Sequence, residues 1–99
     1  MPDPTSVQNN EAASRFEIEI EGHTAFLTYK ERGNSLALLH TDVPPEFEGR
    51  GVGSALAKAA LDHARARSLK VLPYCPFVAA YLERHPEYAD LIRKPSQSA

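Results

Sequence analysis

Three glycines alternate through Glu48-Gly49-Arg50-Gly51-Val52-Gly53-Ser54, where an extended segment gives way to a stretch rich in Ala and Leu. Glycine accepts positive φ and lets backbone come close to a ligand. A helix beginning there adds unpaired N–H groups at the positive end of its dipole, so the run suits a ligand bearing a pyrophosphate. Two common phosphate loops are excluded by spacing. A G-x-x-x-x-G-K-[ST] loop fails because Gly53 follows Gly49 by four positions and precedes Ser54. A G-x-G-x-x-G fingerprint would need its third glycine at Ser54 or Leu56. The bland alternative, a flexible turn before an ordinary helix, stays open on the loop alone.

Other residues with chemical potential lie on either side. Cys75 is the single cysteine and directly precedes Pro76. Proline favours the first helical position, which makes Cys75 the N-cap residue, and a thiol there meets free amides and the helix dipole, both of which favour the thiolate. The competing reading is a small buried hydrophobe. His40 is expected on the face of its strand that carries Leu36 and Leu38, either as a base or as a packed core histidine. Tyr74, Phe77, Tyr81 and Tyr88 either line a ligand channel or fill the core. The run His85-Pro86-Glu87-Tyr88 reads as a helix stop and packing corner. No metal site is expected: one cysteine excludes a cysteine-rich zinc site and an intrachain disulfide, and the histidines at 23, 40, 63 and 85 show no ligand spacing.

These residues need elements to position them. Strict alternation over residues 15–21 puts Phe16, Ile18 and Ile20 on one face of a half-buried strand. Gly22 breaks it, residues 23–31 resume, and Gly33-Asn34 turns the chain into a third run over 35–43, so a three-stranded antiparallel meander is predicted. Pro44 and Pro45 stop the third strand and set the glycine loop just beyond its end. Apolar residues at 52, 55, 56, 59 and 60 form one helical stripe, many of them alanine. Residues 70–74 read as a fourth strand parallel to the third, and Pro76 opens a second helix that His85-Pro86 ends. The fold class is α+β with the order βββαβα. Residues 1–13 are polar and proline-containing and are expected to be a disordered tail, 14–92 a single domain, and 93–99 a flexible tail.

Composition limits the function classes. At 99 residues there is room for one modest core. A formal charge of −2 offers no basic footprint for nucleic acid, and the basic residues between Lys58 and Lys70 are offset by Asp62 as on a solvated helix face. The longest apolar run, residues 77–82, is far too short to span a membrane. Met1-Pro2-Asp3-Pro4 has neither the basic nor the apolar region of a secretory signal, so a cytoplasmic location is expected, as a monomer or weak dimer.

With the order of elements set out, residues 36–92 resemble a compact GNAT-superfamily N-acetyltransferase. The chain is similar in particular to the small family of stand-alone GNAT-like domains of about 100 residues that carry a Cys-Pro-Phe-Val motif. The likeness rests on His40-Thr41-Asp42-Val43-Pro44-Pro45 running into Glu48-Gly49-Arg50-Gly51-Val52-Gly53, which answers to the superfamily pattern Q/R-x-x-G-x-G/A. It rests also on Leu72-Pro73-Tyr74-Cys75-Pro76-Phe77-Val78 leading to Tyr81 and His85-Pro86-Glu87-Tyr88. The resemblance implies that acetyl-CoA is the co-substrate, gripped by the amides of Gly49, Arg50, Gly51, Val52, Gly53 and Ser54. It implies that Val43 hydrogen-bonds the pantetheine or acetyl carbonyl, and that the acceptor is an amine. Cys75 corresponds to the family's proposed catalytic cysteine. Glu48 departs from the pattern, and its side chain is expected to face solvent, with Arg50 as a compensating cation. The helices that follow the first strand in full-sized members, and the strands that close their carboxyl end, have no counterpart. An open site for a large or exposed amine is therefore expected, and the mild acidity favours a cationic acceptor. The alternative is a non-catalytic acyl-CoA-binding or interaction module.

Overall fold

A computed structural model describes residues 7–92. Its sheet has five strands in sequential order: β1 (Gln8–Asn10), β2 (Arg15–Ile20), β3 (His23–Arg32), β4 (Ser35–Asp42) and β5 (Lys70–Pro73). Helix α1 (Val52–Ala66) connects β4 to β5, and α2 (Pro76–Arg84) follows β5. The first four strands pair antiparallel, and β5 pairs parallel with β4. The expected order βββαβα is thus present with one added edge strand. That strand corrects the expected tail: residues 8–10 pair with Arg15–Glu17, and a 3-10 turn at Glu11–Ala13, capped by the Asn10 side chain, joins the two. Tyr29 Oη donates to Asn9 Oδ1 at 2.6 Å, a tertiary contact invisible to composition. Residues 1–6 and 93–99, the remainder of the expected tails, lie outside the described residues.

One face of the sheet carries the core. Phe16 and Ile18 on β2, Ala25, Leu27 and Tyr29 on β3, Leu36 and Leu38 on β4 and Val71 on β5 are buried beneath both helices. The alanines of α1 work as expected: Ala57, Ala60 and Ala64 are fully buried beside Leu56 and Leu61, so the axis lies close to the strands. Burying a leucine completely stabilises by roughly 1.5–3 kcal/mol. The corner at residues 85–88 stops α2 and packs as read. Tyr88 Oη donates to Asp62 Oδ1 at 2.8 Å, and the Arg65 guanidinium grips both Asp90 oxygens at 3.1 Å, pinning the 3-10 segment Pro86–Leu91 to α1.

The feature that governs the site is a β-bulge. Tyr29 pairs with Leu38 but Thr28 pairs with His40, leaving Leu39 as the extra residue of β4. A bulge offsets the alternation of side chains by one. From there on, Thr41 shares the face of Leu27, and His40 shares the outer face with Thr28.

Candidate functional site

The last parallel pair is Leu38 with Pro73, and the Cys75 amide donates to the Leu38 carbonyl at 2.9 Å before the chain turns into α2. Strand β4 runs on to Asp42, so residues 39–42 have no strand beside them on the β5 side among the described residues. The two strands part here, and the gap opens toward the start of α1.

Beyond β4, Pro44 and Pro45 force a 3-10 turn at Pro45–Phe47. Amides of Phe47 and Glu48 donate back to the carbonyls of Pro44 and Pro45, and the Arg50 amide donates to Phe47 O at 3.3 Å, which holds the loop shape. Gly49 and Gly51 have φ of 81° and 83°, in the left-handed region where a side chain is strained. Gly51 is the N-cap of α1, and the first i→i−4 bond of the helix is made by Ala55 to Gly51 O at 3.0 Å. The amides of Val52, Gly53 and Ser54 precede that bond and lie at the positive helix end, with no acidic residue in the first turn.

A cleft of about 570 Å³ lies against this helix end. Of the residues expected to hold a ligand, Val43, Gly49, Gly51, Val52, Gly53 and Ser54 line it. Arg50 is not among the lining residues; it is exposed, with its guanidinium 5.2 Å above the Phe47 ring. Glu48 is exposed and is itself among the residues that line the cleft. The walls also include Thr41, Phe47, Phe77 and Arg84. Phe77 was one of the possible channel aromatics; Tyr81 and Tyr88 belong to the core, and Tyr74 points out at 67% exposure. Burial holds the phenols of Tyr81 and Tyr88 above the usual tyrosine range.

Thr41, Phe47 and Arg84 were not anticipated as site residues. Arg84 had a legible signal, since it follows Phe77 by seven positions and so falls on the same face of α2 two turns later. It makes no ion pair among the described residues, which leaves a cation facing the loop. Thr41 had only a faint one, the adjacent pair Leu38-Leu39 that breaks the period of two.

Gly53 is smaller for a reason the loop motif does not supply. A Cβ built on it would lie 2.7 Å from Phe77 Cζ, so the glycine admits the aromatic wall of the cleft.

The two residues expected to act in catalysis end in different places. Cys75 is the N-cap of α2 and is buried, with 2% of its surface exposed, and it is not part of the cleft lining. Its Sγ lies 3.2 Å from Thr41 Oγ1, and Thr41 lines the cleft. The expectation for His40 needs correction. It is neither a core histidine nor on the face of Leu36 and Leu38: the bulge at Leu39 turns it to the exposed outer face, away from Cys75. Among the described residues, no group of three or more His, Cys, Asp or Glu is arranged to hold a metal ion, and no helix is long and apolar enough to cross a membrane.

Residues 15–91 match the family described as GCN5-related N-acetyl-transferase. Protein NATD1 of Gallus gallus is 33% identical over 86 residues, covering 84% of this chain and 78% of the relative. Its Xenopus tropicalis counterpart is 33% identical over 90 residues, covering 85% and 83%. Among solved structures, the NMR structure of a GCN5-like protein from Staphylococcus aureus superposes with a TM-score of 0.70 at 32% identity, covering 93% of this chain and 91% of that one.

Proposed function

The chain belongs to the GCN5-related N-acetyl-transferase family, and from that premise we propose that it transfers an acetyl group from acetyl-CoA to an amine. The observation that carries this reading is the cleft at the amino end of α1, where the left-handed Gly49 and Gly51, the amides of Val52 to Ser54 ahead of the first helical bond, and Arg84, without an ion pair among the described residues, converge. The residues fit the co-substrate. Backbone amides suit a pyrophosphate, Arg84 suits a further phosphate oxygen, and the open edge of β4 offers backbone groups to the amides of a pantetheine arm.

Acetyl-CoA supplies an activated thioester carbonyl. The protein holds it so that the free amide at Val43, just past the last paired residue of β4, stabilises the developing oxyanion, and a neutral amine attacks from the open side. Direct transfer is the route the geometry favours over a covalent acetyl-cysteine, because the Cys75 sulfur is buried behind Thr41. An open, uncovered acceptor side suits an amine on a large molecule.

Titration of the labelled protein with acetyl-CoA, followed by amide shifts, tests the site: the largest changes are expected within residues 41–56 and at Arg84. Saturating ligand that leaves the Gly49 and Gly51 amides unmoved would remove the assignment. CoA release with a panel of amines then tests the activity, and binding without release would leave an acyl-CoA-binding module.

A further inference from the structure

Acetyl transfer leaves a thiolate that needs a proton, and the side chains charged at neutral pH on the cleft wall, Glu48 and Arg84, both belong to the loop and the end of α2 rather than to β4. We propose that the Thr41 hydroxyl protonates the departing CoA thiolate and that Cys75, behind it, is the source of that proton. The proposal rests on the acetyl-transfer reading above.

Four observations support it. Thr41 Oγ1 and Cys75 Sγ are 3.2 Å apart in a contact where either can donate, the property a two-way relay needs. Thr41 lines the cleft, on the strand whose open edge leads to Val43, whereas Cys75 is buried and absent from the lining, its sulfur in contact with that hydroxyl. The bulge at Leu39 is what brings Thr41 to this face and removes His40 from it, so a residue without useful basicity replaces an imidazole beside the thiol. Main-chain bonds hold the Cys75 backbone on both sides: the Cys75 amide donates to Leu38 O, and the Cys75 carbonyl accepts from Ala79 N at 3.0 Å.

The chemistry balances. The amine nitrogen forms a bond to the carbonyl carbon, the C–S bond breaks, and its electron pair leaves on sulfur. Thr41 Oγ1 gives its proton to that sulfur and takes the proton of Cys75 Sγ. The new amide nitrogen sheds its own extra proton to solvent through the open side. Once CoA has left, solvent reprotonates Cys75 through the same hydroxyl, and nothing is oxidised or reduced. The hydroxyl gives one proton as it takes the other, so it acts as a bridge and never needs to persist as an alkoxide.

Thr41→Val, Thr41→Ser, Cys75→Ala and the double variant Thr41→Val with Cys75→Ala test this, with kcat, KM and the acetyl-CoA Kd measured for each. A positioned general acid contributes typically 10²–10⁴-fold, so Thr41→Val is expected to lower kcat about 100-fold or more with Kd within about threefold of wild type. Thr41→Ser should recover most of kcat. Cys75→Ala should lose less than Thr41→Val, and the double variant should be no slower than Thr41→Val alone, because both changes cut one relay. Wild-type turnover with Thr41→Val within a few-fold in kcat overturns the proposal, as does a loss confined to Kd. Should Thr41→Val fail to fold, Cys75→Ala decides, and an unchanged kcat there overturns it. A wild-type protein that binds acetyl-CoA and releases no CoA with any amine refutes the acetyl-transfer reading itself, and the relay with it.

Discussion

Replacing Gly53 with alanine separates two explanations for a glycine at that position. In one, the missing side chain lets phosphate approach; in the other, it makes room for Phe77. The built Cβ lies 2.7 Å from Phe77 Cζ and 3.1 and 3.2 Å from the two Cε atoms, whereas ordinary contact begins at 3.4 Å, so the ring must withdraw by at least about 0.7 Å. Gly53 is in the first turn of α1 without a positive φ, so alanine also gains up to about 1 kcal/mol of helix propensity. Overpacking typically costs about 1–3 kcal/mol, and the ring is 38% exposed, which places this site toward the lower end. A net destabilisation between about 0 and 1 kcal/mol follows, a fall in Tm of up to roughly 8 °C for a domain of this size. The same change in a Phe77→Ala background should be stabilising, because only the propensity gain remains. Denaturant unfolding of the four proteins gives the coupling energy, expected at about 1–2 kcal/mol, and acetyl-CoA affinity measured on the same set should weaken with Gly53→Ala and not weaken further when Phe77 is already absent. Zero coupling in stability, together with a loss of affinity that persists in the Phe77→Ala background, would refute the packing argument in favour of direct phosphate contact.

Two further outcomes follow from burial. Iodoacetamide should alkylate Cys75 at least about tenfold more slowly in the native protein than in urea, since only 2% of the residue is exposed; equal rates would show an open thiol and restore the covalent route. At high pH the native protein should carry fewer phenolates than the urea-denatured chain, read as absorbance near 295 nm: burial raises Tyr29, Tyr81 and Tyr88 above 10.0, with proximity to Asp62 adding to the effect at Tyr88. Because the folded state holds these protons more tightly, their contribution to stability is complete below about pH 10 and is lost as pH rises through the folded values. A denaturant midpoint that stays level between pH 8 and 11 would contradict this.

Much of the architecture is legible along the chain because it depends on local periodicity. Alternation at Phe16 and Ile18, the proline stop at Pro44-Pro45, the alanine stripe of α1 and Pro76 opening α2 each report on an immediate neighbourhood. The glycine loop is legible for the same reason: spacing of three glycines before a helix dictates where amides go free, and six of the seven residues expected to bind the co-substrate line the cleft. The strand at residues 8–10 is not legible in this way, because its pairing depends on β2 and on Tyr29 reaching Asn9, and composition carries no information about a partner twenty positions away.

What only the tertiary structure decided is which side chains face the site at the end of β4. Strand alternation is a rule of parity, so a single inserted residue reverses every assignment after it. Read with regular alternation, His40 points inward and Thr41 outward; with Leu39 bulged and 42% exposed, the roles exchange, and Thr41 meets Cys75 instead. The sequence by itself determined the elements from β2 to α2, their order and the loop of amides at the start of α1, all of which arise from contacts between near neighbours. The bulged register of β4 on β3, together with the packing of Cys75 against β4 from far along the chain, determined which residue stands beside the thiol.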